Sequence, residues 1–322
     1  MSKNKVVALG ELLIDFTENG TSEQGNLLLE ANPGGAPCNV LAMLTKLGVS
    51  TTFIGKVGKD QFGKMLRQKI EAMGIDTRYL YEDEKIHTTL AFVHTYEDGD
   101  RDFSFYRNPG ADMMLTEDEI PDSLIQTADI FHFGTLSMTH EGVRNVTKRA
   151  VAVAKKAGCL ISFDPNLRPP LWDSLEEAKE QTAYGLKHCD ILKISDNEVQ
   201  WLTSKEDYDE GIRLIQEQYQ IPLIVLSMGK EGSRAYYGKS RVEEEPFLQE
   251  NTIETTGAGD TFGACILNYV LEHGLGHLTE KQLSEMLIFA NAAASIITTR
   301  KGALCVMPEK KEILSLIKEK RR

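Results

Sequence analysis

Short apolar, β-branched runs alternate along this chain with segments of helical period, and no other feature limits its fold as much. The runs lie at residues 5–10, 52–58, 129–134, 159–164, 190–195 and 223–229, each about one strand long. Between them, residues 39–47, 60–73, 142–157, 175–187 and 208–219 repeat their apolar positions at helical spacing. Near-continuous apolar strands alternating with helices predict an α/β fold of three α/β/α layers around a mostly parallel, doubly covered sheet. Ligands of such sheets sit at the carboxyl ends of the strands. Those ends read Gly10, Gly58, Gly134, Asp164, Ser195 and Gly229, all small or polar.

One stretch breaks the rhythm. Residues 88–96 and 101–107 are strand-like and are joined by Glu97-Asp98-Gly99-Asp100, a hairpin signal with no crossover helix. Residues 12–29 alternate loosely around a turn at Asn19-Gly20. The expectation is one large domain over residues 1–322, with a small antiparallel sheet from about 12–30 and 88–107 inserted in it. Beside strand carboxyl ends, such a sheet can serve as a lid or be a mere insertion. The tail, 309–322, reads as a basic-ended terminal helix.

Lys and Arg total 36 against 48 Asp and Glu, a net charge of −12, which argues against nucleic acid or an anionic bilayer as the main partner. No run approaches the ~18 consecutive apolar residues of a membrane span. The start, MSKNKVVALGELLIDF, lacks a small-residue cleavage site, and five scattered cysteines form no Cys-x-x-Cys. Both point to the reducing cytoplasm, with neither a disulfide framework nor a zinc site.

Several motifs admit two readings. Gly58-Lys-Asp-Gln-Phe-Gly63-Lys64 mimics a phosphate-binding P-loop, but Met65 stands where a hydroxyl would bind magnesium, so Gly55, Gly58 and Gly63 read as turn and packing glycines. His273 and His277 have a metal-like spacing that Gly274 and Gly276 spoil. Thr255-Thr256-Gly257-Ala258-Gly259-Asp260 is the most informative stretch, because a helix follows it and its N–H groups can hold an anion. Asp260 is then either a helix N-cap or a base that takes the proton of an acceptor hydroxyl during phosphoryl transfer. Gly34-Gly35-Ala36-Pro37-Cys38-Asn39 opens another helix and suits a polyhydroxyl ligand, with Asn39 as cap the alternative. Asp15 can accept from sugar hydroxyls or be a plain loop acid.

These pieces, in this order, resemble the ribokinase-like (PfkB) carbohydrate kinases over nearly all of residues 5–308. The resemblance rests on Gly34-Gly35-Ala36-Pro37-Cys38-Asn39 through Gly48, on Gly55-Lys-Val-Gly58-x-Asp60-x-Phe62-Gly63, and on the 255–260 loop. Gly10-Glu11-Leu-Leu-Ile-Asp15-Phe16, Arg101-Asp-Phe-x-Phe-Tyr106-Arg107, Phe131-His-Phe-Gly134, Asp164-Pro-Asn-Leu-Arg168 and Lys193-x-Ser195-Asp are most similar to fructokinases, and several recur in 2-keto-3-deoxygluconate kinases. The resemblance implies a ribokinase-like fold and ATP- and Mg2+-dependent phosphorylation of D-fructose to fructose 6-phosphate. In it Asp260 is the base, and Gly257, Ala258 and Gly259 are the anion hole.

By the same resemblance Asp15, Gly34, Gly35 and Asn39 hold sugar hydroxyls, and Arg107 and Arg168 reach the sugar or the phosphates. Ser195, Ser227, Gly229, Gly232 and Asn291 belong to the ATP site, and Glu198 orders magnesium through water. Two departures stand out. Ser195 replaces a common Asn three residues before Glu198, which weakens the expected nucleotide contact there. Glu254 replaces the Asp tied to a monovalent cation, which argues against potassium (K+) activation. The alternatives are a keto-acid kinase of the same family, a non-catalytic sugar or nucleotide sensor, and a nicotinamide dehydrogenase, which lacks its Gly-x-Gly-x-x-Gly after the first strand. An exposed lid sheet also has edges that a second copy could cover as a homodimer.

Overall fold

The computed structural model describes residues 5–95 and 101–320. The strands are β1 (Lys5–Leu9), β2 (Leu13–Thr21), β3 (Leu27–Gly34), β4 (Ser50–Gly58), β5 (Asp76–Asp83), β6 (Leu90–Thr95), β7 (Arg101–Tyr106), β8 (Ile130–Gly134), β9 (Leu160–Asp164), β10 (Ile191–Ser195), β11 (Leu223–Ser227), β12 (Ser233–Tyr237) and β13 (Ser240–Glu244). The helices are α1 (Ala36–Lys46), α2 (Gln61–Ala72), α3 (Asp122–Ile125), α4 (Glu141–Ala157), α5 (Leu175–His188), α6 (Asp196–Thr203), α7 (Tyr208–Tyr219), α8 (Ala258–His273), α9 (Glu280–Ile297) and α10 (Lys310–Lys320).

Nine strands form the main sheet in the order β13-β12-β11-β10-β9-β8-β1-β4-β5. It is parallel from β11 to β5, and the edge hairpin β12–β13 runs antiparallel. Central strands are apolar on both faces because each face meets a helix layer. Along β1, Val6 and Ala8 enter one core with α1, α8 and α9, while Val7 and Leu9 enter the other with α4, α5 and α7. This is the three-layer α/β/α arrangement expected from the alternation.

The small sheet has the order β3-β2-β6-β7. It is mixed, not antiparallel as expected: β2 pairs with β6 in parallel, Ile14 opposite Leu90 and Phe16 opposite Phe92. The two hairpins leave the main sheet in the same direction, so their inner strands run side by side. The expected turn at Glu97–Asp100 lies outside the described residues. Phe16 stacks on Phe92 and meets Phe62 of α2 edge-on, which docks one face of this sheet on the main body.

The glycines of the P-loop-like stretch serve close packing. A Cβ on Gly63 would sit 2.0 Å from the Gly58 carbonyl oxygen, and one on Gly58 would sit 2.4 Å from the Thr88 nitrogen. Asp60 caps α2 through the Gly63 N–H at 2.8 Å and also accepts from the Thr88 N–H at 2.8 Å, tying α2 to the entry of β6. Burial works against the Asp60 charge, but these donors outweigh it and hold its pKa below the ordinary value. Among the described residues no helix is long and apolar enough to cross a membrane.

Candidate active site

Two cavities open at the carboxyl ends of the main strands and meet at the 255–260 turn. One, of about 360 Å³, lies against the small sheet and is lined by Glu11, Asp15, Asn39, Arg168, Lys193 and Asp260 among others. The other, of about 280 Å³, lies between the β11 end and α9 and includes Ser227, Gly229, Gly232, Phe247, Phe262 and Asn291. Thr255 and Gly259 line both.

The turn works because Gly257 adopts φ +75°, and a Cβ there would come within 2.5 Å of the Ala303 Cβ. Gly257 is the N-cap of α8. The Ala258 N–H turns back to the Thr255 carbonyl at 3.2 Å, whereas Gly259 and Asp260 stand in the first turn, where N–H groups have no intrahelical acceptor. Asp260 is therefore not the helix cap. Its Oδ2 accepts from Asn39 Nδ2 at 2.8 Å, in a buried contact between α8 and α1. Asn39 is no cap either, since that position belongs to Gly35.

Burial pushes the Asp260 pKa up to about 6, helped by Asp164 and opposed by the Asn39 hydrogen bond, Lys193 and Arg168. Asp15 is pushed to about 7, first by burial, with Arg168 opposing and Glu254 and Asp260 adding. Gly34 is absent from both cavity walls but packs against this acid: a Cβ on it would lie 2.0 Å from Asp15 Oδ2. Gly35 does face the cavity at φ +128°, close over the Glu11 carbonyl.

Two groups that the sequence motifs include without a role also belong here. Glu11 Oε1 accepts the Ala36 N–H at 2.8 Å and so secures the start of α1, and burial raises its pKa to about 7. Lys193 Nζ pairs with Asp164 Oδ2 at 3.0 Å beneath the turn, 3.0 Å from where a Gly259 Cβ would be. Burial disfavours its charge, but Asp164, Glu198 and Asp260 more than compensate and raise its pKa. The signal was a lysine inside the apolar run Ile191-Leu-Lys-Ile.

Other expected residues lie elsewhere. Arg107 is buried in an ion pair with Asp112 at 2.7 Å and also donates to Thr139 Oγ1 and the Leu136 carbonyl, so its guanidinium braces the base of the small sheet and does not line the cavity. Ser195 lines neither cavity; it is the N-cap of α6, with its hydroxyl donating to Glu198 Oε2 at 2.8 Å. The other Glu198 oxygen accepts the Leu167 N–H at 2.8 Å. Glu254 Oε1 accepts the Gly302 N–H at 2.6 Å. Among the described residues no cluster of three or more His, Cys, Asp or Glu could hold a metal ion.

A three-layer α/β/α body, a polar cavity under a small sheet, an apolar cavity beside it and a helix-start turn between them define a class of phosphoryl-transfer kinases. The pfkB family carbohydrate kinase profile matches residues 3–310, and the chain belongs to that family. A probable fructokinase-2 from Arabidopsis thaliana is 40% identical over 320 residues, covering 98% of this chain and 97% of the relative. Among solved structures, fructokinase from Xylella fastidiosa with bound ATP superposes with a TM-score of 0.90 at 29% identity, covering 99% of this chain and 100% of that one. A double mutant of Vibrio cholerae O395 fructokinase, with fructose, ADP and a potassium ion bound, gives 0.87 at 26% identity, covering 98% and 100%.

Proposed function

We propose that this chain is an ATP-dependent fructokinase that converts D-fructose to fructose 6-phosphate. The observation that carries the reading is the shared wall: Thr255 and Gly259 border both cavities, so a sugar in one and a triphosphate in the other meet at the helix start. Asp260 removes the proton from the O6 hydroxyl as that oxygen forms a bond to the γ-phosphorus. The bond from phosphorus to the β,γ-bridging oxygen breaks, and its electron pair leaves with ADP. A carboxyl raised to about 6 is ionised at neutral pH yet more basic than an ordinary Asp, which suits this task. The Gly257-Ala258-Gly259 turn forms the anion hole for the moving phosphoryl, its donors the N–H groups of Gly259 and Asp260 because that of Ala258 is spent on Thr255, with the Lys193 ammonium beneath it.

Asp15, Gly34, Gly35, Asn39 and Arg168 shape the sugar site, and Ser227, Gly229, Gly232 and Asn291 the nucleotide site. Ser195 and Arg107 support these sites from behind. Glu198 Oε2 takes both the N–H and the hydroxyl of Ser195, but Oε1 keeps a lone pair beyond its bond to the Leu167 N–H, and through it Glu198 would hold Mg2+ by way of water. When bound, the ion supplies charge neutralisation on the phosphates.

Fructose is preferred to a keto acid because the relatives are fructokinases and because Arg107, one of two arginines that could take a carboxylate, is spent on Asp112. The deciding assay is ADP release with MgATP and a panel of fructose, 2-keto-3-deoxygluconate, ribose, glucose and adenosine, with a sugar-free control. Fructose is expected to stimulate release most; a response to the keto acid alone overturns the choice of sugar.

The reading extends to a cytoplasmic location, supported by five free thiols of which four are buried. It also includes a homodimer through the small sheet, supported by the exposed side chains of Leu27, Leu29 and Tyr106. Sedimentation velocity of Leu27→Glu/Leu29→Glu protein is expected to show a monomer, and an unchanged mass would remove the sheet from the interface.

A further inference from the structure

Residues 301–303 touch three parts of the molecule at once. Lys301 Nζ pairs with Glu30 Oε2 of β3 at 3.0 Å and donates to Asn19 Oδ1 of β2 at 3.0 Å, so one ammonium spans both strands of a hairpin of the small sheet. Gly302 gives its N–H to Glu254, on the approach to the 255–260 turn. Ala303 lies directly against Gly257 of that turn, where a Gly257 Cβ would be 2.5 Å from the Ala303 Cβ. Between the hairpin and this segment only about 30 Å³ is empty, with Asp15, Thr17 and Asn32 on one side and Glu254, Gly302 and Ala303 on the other.

The face of the hairpin that meets the segment also reaches the sugar cavity. Asp15 stands opposite Asn32 and Thr17 opposite Glu30, and strand alternation puts all four side chains on one face. Asn32 Nδ2 donates to Thr17 Oγ1 at 2.9 Å, which ties the two pairs together. The hairpin therefore carries an acid of the sugar cavity at its root and the partners of Lys301 farther out.

We propose that Lys301 is a positioning residue that latches the β2–β3 hairpin to the support of the 255–260 turn, so that sugar against the hairpin and triphosphate against the turn favour each other's binding. The inference rests on the reading of that turn as the place of phosphoryl transfer. Close-packed contacts pass a displacement on, so a hairpin lifted off Lys301 loosens Gly302 and Ala303, and with them the seat of Gly257. Coupling of this kind is reciprocal: the factor by which nucleotide tightens sugar binding is the factor by which sugar tightens nucleotide binding. The Lys301 and Glu30 side chains are 38% and 42% exposed. An exposed pair contributes modestly and is screened by salt, a signature that a buried packing contact lacks.

The test is calorimetric titration of the full chain with fructose, alone and with Mg2+ and β,γ-imido-ATP. In unmodified protein the nucleotide is expected to tighten fructose binding, and Lys301→Met to remove about two- to fivefold of that factor. Raising NaCl from about 50 to about 500 mM is expected to remove a similar share from unmodified protein and none from Lys301→Met. Lys301→Glu sets like charges together and is expected to lose more, about tenfold. Adding Glu30→Lys restores the factor, because the pair re-forms with its signs exchanged and the Asn19 amide can turn to donate. A coupling factor absent from unmodified protein or undiminished in Lys301→Met, or a Lys301→Glu loss that Glu30→Lys does not relieve, would overturn the proposal. If Lys301→Glu does not fold, the Lys301→Met and salt series decide. Asp260→Asn separates the two readings: near-normal turnover there defeats the turn as the transfer site, whereas an inactive Asp260→Asn beside Lys301 variants that couple as unmodified protein does defeats the latch alone.

Discussion

The cavity under the small sheet and the cavity beside α9 share Thr255 and Gly259 but almost nothing else. The first gathers Glu11, Asp15, Asp260, Arg168 and Lys193, and burial raises the pKa of all three acids. The second has one charged lining residue, Lys230, and is walled by Pro246, Phe247, Leu248, Phe262 and Ala294. On the proposed reading, the difference follows from what each would recognise. A sugar is read by many short, directional bonds, and the same polar groups must move a proton, so that side stores electrostatic cost. An aromatic base is held mainly by apolar contact, with a few polar groups to orient it.

Changes to the turn between the two cavities should be the most damaging. Gly257→Ala forces a side chain into φ +75° and against Ala303, and turnover is expected to fall about 10²–10³-fold, the cost of losing a preorganised anion donor, with both substrates affected in steady-state kinetics. Changes to one cavity should stay on that side. Ala294→Leu overfills the apolar cavity at a cost of about 1–3 kcal/mol, so KM for ATP rises about tenfold while KM for fructose holds.

Asp15→Asn should do the reverse, raising KM for fructose about tenfold and leaving ATP alone. It should also stabilise the protein. Because the folded-state pKa of Asp15 is raised from 3.8 to about 7, the folded protein keeps a proton that the unfolded chain has released across that window, and the contribution to stability falls as pH rises through it. The Tm of Asp15→Asn relative to wild type is therefore expected to be greater at pH 8 than at pH 5, by differential scanning calorimetry. The smallest effect concerns K+: with Glu254 bonded to the Gly302 N–H at 2.6 Å, turnover is expected to match in potassium and tetramethylammonium salts of equal ionic strength.

The sequence was most legible where local pattern and tertiary structure agree. The alternation of strands and helices, the glycine turn before α8 and the double glycine before α1 are local features, and each could be read from a few adjacent residues. Less legible were elements without a period: α9 runs Phe-Ala-Asn-Ala-Ala-Ala through its middle and is buried on most of its surface, so no polar face marks it. The parallel β2–β6 pair joins strands far apart in the chain, while the local β12–β13 hairpin ends in Ser240-Arg-Val-Glu-Glu244, an edge strand with one apolar residue to mark it. The fate of Arg107 turned on Asp112, a partner five residues on that no motif singles out. The roles of Glu11 and Lys193 likewise emerge only when β1, α1, β9 and β10 come together.

The most direct test of the two-cavity reading is Asp260→Asn, followed by fructose-dependent ADP release and by calorimetric titration with ATP. Turnover is expected to fall ~10²–10⁴-fold while ATP binds as in wild type, because the base lies in the polar cavity and lines no part of the apolar one. Near-normal turnover, or a parallel loss of ATP affinity, would contradict it.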